Sequence, residues 1–73
     1  MRNSVHVVPI DGGWRVEADG HELCGHHHQT QADAEKCARA EAMHADAELI
    51  VHGRDGRIER KNSYGHDPRN VKG

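Results

Sequence analysis

The chain has 73 residues, room for one domain, and a domain of that length buries only about 60% of its unfolded surface. With no Phe, one Trp and one Tyr, its core has to be built from alanine, valine and a few larger side chains. Such a scaffold holds about 3–5 kcal/mol and is often supported by a disulfide, a metal or a second subunit. The formal charge of −2 is unevenly spread: residues 1–36 carry three basic against six acidic side chains, and residues 53–73 six basic against three. Mixed runs of this kind read first as solvated surface; they permit an anionic partner without demanding one.

Met1–Ile10 lacks a basic region followed by an apolar stretch of the length a secretory leader needs. No apolar run approaches the roughly 18 residues that would cross a bilayer. Cys24 and Cys37 therefore read as reduced thiols, and the expected setting is the cytoplasm, away from any membrane.

Val5–Ile10 is a β-branched run that ends at Pro9-Ile10, and Asp11-Gly12-Gly13 supplies a turn. Pro9 cannot donate to a ladder, so it places this strand at an edge or ends its pairing there. From Trp14 to Ala18 the pattern alternates, with Trp14, Val16 and Ala18 on one face and Arg15 and Glu17 on the other. Asp19-Gly20 closes a first hairpin. His21 to His28 has Leu23 as its only large apolar residue and fits either a brief third extension or an irregular loop. Thr30 then stands where it can cap a helix, and Asp33 and Glu35 favour its positive end. Ala34, Ala38, Ala42 and Ala45 recur at helical steps with Cys37 at their flank, a smooth stripe suited to lying close against Trp14 and Val16. Glu41 interrupts that face. Leu49-Ile50-Val51, the turn Gly53-Arg54-Asp55-Gly56 and Arg57–Lys61 form a second hairpin. The expected architecture is α+β, ββαββ: a small antiparallel sheet of two hairpins with one helix packed across it. Residues 1–63 would be the domain and 64–73 a partly ordered C-terminal loop or tail.

The chain resembles a family of short bacterial proteins known as domain of unknown function 2188. The likeness is carried by Val5-His6-Val7-Val8-Pro9, Gly13-Trp14-Arg15-Val16 and Thr30-Gln31-Ala32-Asp33-Ala34. It continues through Leu49-Ile50-Val51-His52-Gly53-Arg54-Asp55-Gly56-Arg57-Ile58 and Asn62-Ser63-Tyr64-Gly65-His66-Asp67-Pro68-Arg69. It implies the same element order and a bacterial cytoplasmic origin, and no activity. The His-rich stretch Cys24–His28 departs from the family's plainer loop.

Three kinds of chemistry are represented. Eight histidines are many for 73 residues; His21, Cys24, His26 and His28 offer the imidazole and thiolate ligands that zinc takes in fours. No Cys-x-x-Cys or helical His pair fixes two of them, and Cys37 reads as a small apolar residue. Arg54, Arg57 and Lys61 on the second hairpin, with Arg69 beyond it, could contact nucleic acid as two-stranded ribbons do. Asp55 and Glu59 interrupt that patch, and the hairpin holds no stacking aromatic. Ser63, Tyr64, Asp67 and Arg69 form a third candidate, a recognition loop; equally, Tyr64 could fold back over the core. Cys24 beside His26 is the only nucleophile–base pair, and a single sheet with one helix offers little cleft. The expectation is a binding or structural module without catalytic activity and without a cofactor, acting on a protein partner or a second copy of itself, with nucleic acid and divalent metal as alternatives.

Overall fold

The computed structural model describes residues 4–18 and 20–64, with the side chain of His26 excepted. In chain order these are β1 (Ser4–Ile10), β2 (Gly13–Ala18), β3 (His21–His28), α1 (Gln31–Ala45), β4 (Glu48–His52) and β5 (Ile58–Ser63). One five-stranded sheet has the spatial order β3-β2-β1-β4-β5. The fold is α+β with one helix, but the sheet is mixed: β1 and β4 pair in parallel, Val5 beside Leu49 and Val7 beside Val51.

Two expectations are corrected here, and one cause accounts for both. His21–His28 is a full strand, so the first unit is a three-stranded meander and not a hairpin. Each short connection reverses the chain. With two strands before the helix, the strand after it would oppose β1; with three, it returns parallel to β1. The crossover that parallel pairing needs is α1 itself. β3 was hard to read because it is an edge strand, satisfied along one side and interrupted by a bulge. Leu23 stands opposite Val16, yet the next paired residue along is His28, opposite Trp14.

Pro9 does not place β1 at an edge, since β1 lies in the centre of the sheet. Pairing ends near it on one side only: the ladder with β4 ends at Val7, two residues before a residue that cannot donate, while the ladder with β2 continues through Pro9 to Ile10. At the β1–β2 turn Gly13 is required by close approach, because a Cβ there would sit 2.6 Å from the carbonyl oxygen of His28.

Helix α1 begins as its sequence indicates, with Thr30 Oγ1 accepting from the Asp33 amide at 3.1 Å, a cap that contributes about 1 kcal/mol. It ends at Asp46, which takes the left-handed conformation at φ 55°. Ala34, Ala38 and Ala42 are fully buried against Val5, Val7, Trp14, Val16, Leu49 and Val51. Tyr64 packs on the same core, its amide donating to the Ala47 carbonyl at 3.0 Å.

The cysteines are also corrected. Cys24 and Cys37 are joined as a disulfide that ties β3 to α1, with Cα atoms 6.3 Å apart. Closing a loop with a sequence separation of 13 restricts the unfolded chain by about 3 kcal/mol, comparable to the margin expected from so small a core.

The close helix–sheet contact predicts that Ala38→Leu lowers stability by about 1–3 kcal/mol through overpacking. Met43→Leu, at a site 56% exposed, should stay within about 0.5 kcal/mol of the parent. Urea unfolding of both variants measures the contrast; equal effects would place the helix further from the sheet.

Candidate functional site

The helix covers one face of the sheet. Alternation from Val5, Val7, Val16, Leu49 and Val51 puts His6, Val8, Arg15, Glu17, Ile50 and His52 on the opposite face, all of them half-buried. Lys61 stands opposite Ile50 and shares that face. At its centre the parallel register brings together two histidines 46 residues apart in sequence. His6 Nδ1 lies 3.0 Å from His52 Nε2, and the rings stack with centroids 5.3 Å apart.

The tautomers follow from the partners. His52 Nδ1 lies 3.3 Å from the Gly56 carbonyl oxygen, which can only accept, so Nδ1 carries the proton. In neutral His52 the remaining nitrogen, Nε2, is then an acceptor, and His6 Nδ1–H is the donor. A second proton on His52 would remove that acceptor. Burial, and then the neighbouring His52, hold His6 below its ordinary 6.5, while Glu17 across the ladder opposes them.

At the adjoining end of the sheet three turns are locked together. Arg54 donates to the Ile10 carbonyl at 2.9 Å and to the Gly13 carbonyl at 3.1 Å, and its guanidinium lies 4.7 Å from the centre of the Trp14 ring. His27 Nε2 donates to the Gly12 carbonyl at 3.0 Å. Gln31 donates to the His52 carbonyl at 3.1 Å and to Glu59 at 3.0 Å. The Gly-Trp block and the His-Gly-Arg-Asp-Gly block thus meet in one clamp.

The residues singled out for nucleic acid are dispersed by this arrangement. Arg54 is used within the fold. Arg57 stays exposed, its Nε 3.8 Å from Asp55, and Arg60 pairs with Glu35 on the helix side. Lys61 projects from the open face with no ion pair among the described residues. Arg69 lies outside the described residues. Of the metal candidates, His21 and His28 occupy opposite ends of β3, and Cys24 is bonded to Cys37. The His28 Nε2 is buried without a hydrogen-bond partner among the described residues, and the His26 side chain is not described. Of the recognition-loop residues, Ser63 ends β5 and is exposed and Tyr64 packs on the core, whereas Asp67 and Arg69 fall outside the described residues.

The histidine pair was missed from sequence. β4, which carries His52, is internal to the sheet. Alternation alone assigns His6 and His52 to the outer face; their contact depends on the parallel register, which has no local signature.

Among the described residues no helix is long and apolar enough to cross a membrane. Residues 5–64 match the model of a bacterial family described as "Uncharacterized protein conserved in bacteria (DUF2188)". The chain is similar to the "Uncharacterized protein YdaT" of Bacillus subtilis (strain 168), with 34% identity over 65 residues, 89% of this chain and 43% of that protein. It therefore spans less than half the length of that relative. No solved structure matches.

Two predictions follow from the geometry. Arg54→Ala should cost about 1–2 kcal/mol by orphaning two carbonyls, while Arg57→Ala, at a side chain 87% exposed, should cost no more than about 0.5 kcal/mol; thermal unfolding compares them. The depressed His6 sets a pH dependence: the unfolded chain binds a proton that the folded chain resists. This contribution is complete above 6.5 and is lost as pH falls below it through the folded value. Urea midpoints across that range should fall on acidification, and His6→Gln should flatten the slope.

Proposed function

The chain belongs to the bacterial DUF2188 family, and from that premise we propose that it is a non-catalytic association module of the cytoplasm that pairs with a second copy of itself through the open face of its sheet. One observation carries this reading: the face not covered by α1 has an apolar centre of Val8, Ile50 and the 58%-exposed Ile58 around the His6–His52 pair.

The charges around that centre are self-complementary. Glu17 and Glu22 lie on β2 and β3, toward one edge of the sheet, each 3.5 Å from Arg15, so that these three side chains carry one net negative charge, and Lys61 lies on β5 at the other. A two-fold axis running along the central strands would set the β5 side of one copy over the β2–β3 side of its partner, Lys61 facing Glu17 and Glu22. Such an isologous contact uses one patch twice. It would also cover the second face of a sheet whose alanine–valine core is small. The internal use of Arg54 leaves the second hairpin with few free cations, which favours a protein partner over nucleic acid.

Sedimentation equilibrium tests this. The expected species is twice the 8.1 kDa chain mass, and Ile50→Lys should return it to one chain with unchanged circular dichroism. Acidification through the lowered His6 value should weaken the pairing, because His6 then gains charge within the interface and Glu17 offsets it only in part. A single-chain species at every attainable concentration, or a dimer indifferent to Ile50→Lys, overturns the reading.

A further inference from the structure

The helix face that meets β3 carries a feature that pairing through the open face leaves unused. Glu41 lies one helical turn beyond Cys37 and so on the same side of α1. It is half-buried, and among the described residues it makes no hydrogen bond or ion pair. Its carboxylate and the sulfurs of Cys24 and Cys37 lie within 4.8 Å of one another. A carboxylate beside a disulfide gains nothing from it, since neither sulfur is charged or a useful donor. Beside two thiolates and a cation, the same carboxylate is a ligand.

The backbone of β3 is arranged to put Cys24 there. Simple alternation after Leu23, which faces the core opposite Val16, would turn Cys24 to the open side of the sheet. Instead Cys24 takes the left-handed conformation at φ 63°, followed by Gly25 at φ 83°, inside the bulge between the Val16 and Trp14 pairings. A left-handed cysteine is unfavourable by about 1–2 kcal/mol, and bulges re-aim single side chains at sheet edges and beside sites. Here the side chain re-aimed is the one that meets Cys37 and Glu41.

We propose that Cys24, Cys37 and Glu41 form a redox-gated site for a thiophilic divalent cation, closed as the disulfide and open as the dithiol. Opening consumes a thiol reductant: two electrons and two protons enter the Cys24–Cys37 bond, which breaks to give two thiols, while two reductant thiols leave joined as their own disulfide. Cation binding then releases both thiol protons to solvent. Zinc fits the donor set, with sulfur at about 2.3 Å and carboxylate oxygen at about 2.0–2.2 Å. Tetrahedral geometry at those lengths sets the donors about 3.5–3.8 Å apart. The sulfurs therefore separate modestly on reduction and the carboxylate closes in by about an ångström or less. Three protein ligands leave the fourth position to water, as in open zinc sites. A dithiol state also suits the thiol-reducing interior of a cell.

The test is an anaerobic zinc titration of the full chain, reduced and oxidised, against a chromophoric chelator, repeated with cobalt to read thiolate-to-metal absorbance. The reduced chain should take one zinc and show the thiolate band with cobalt, and the oxidised chain should do neither. Glu41→Gln, which disturbs no contact among the described residues, should weaken zinc binding at least about tenfold, with circular dichroism confirming the fold. Cys37→Ser should abolish the band, and the double variant His27→Ala, His28→Ala should keep it. Equal zinc binding by oxidised and reduced chains, retention in Cys37→Ser, or an unchanged affinity in Glu41→Gln overturns the proposal.

Discussion

The parallel pairing of β1 with β4 is the constraint on which the rest of the molecule depends. It sets Val5 and Val7 beside Leu49 and Val51, a block of four fully or almost fully buried side chains under the alanine stripe of α1. Because the core is made of small and medium side chains, its contribution comes from closeness more than from bulk. Alanine on the helix and β-branched valine on the central strands let the two layers approach closely. The disulfide, the Thr30 cap and the Arg54 clamp then fasten the periphery: β3 to the helix, the helix to its start, and the two turns to each other.

The same pairing creates the open face. His6 and His52 share a hydrogen bond only because strands from the two ends of the chain run side by side in one direction. The link from the Gly56 carbonyl through His52 to His6 is uncharged and directional, so a proton on either ring disturbs both. In the proposed self-pairing this face meets its partner with His6 uncharged, and a proton on His6 works against it. The opposite side of the sheet carries separate chemistry, where β3, Cys37 and Glu41 meet.

Much of the fold was legible in local patterns, because local patterns report which face a residue takes. The alternation of Trp14, Val16 and Ala18, the four-residue steps of alanine and the turn residues at Asp11-Gly12 and Asp55-Gly56 each describe one element's relation to one core. β3 escaped that logic. An edge strand with a bulge needs no alternation, and its eight residues include one large apolar side chain. Missing it reversed the direction of β4 relative to β1, and with that went the mixed sheet, the histidine contact and the approach of Cys24 to Cys37. Glu41 was visible as a flaw in the stripe, but its meaning required knowing that two sulfurs lie beside it. Arg54 looked like a free cation because nothing in sequence shows that its guanidinium faces Trp14 and two carbonyls 41 and 44 residues away.

The most direct measurement is the set of interstrand backbone NOEs between β1 and β4 in labelled protein. A parallel ladder pairing Val5 with Leu49, His6 with Ile50 and Val7 with Val51 is the predicted result, with the amides of these central strands exchanging most slowly. NOEs in an antiparallel sense, or β4 found beside β3, would contradict the account and remove the His6–His52 face together with it.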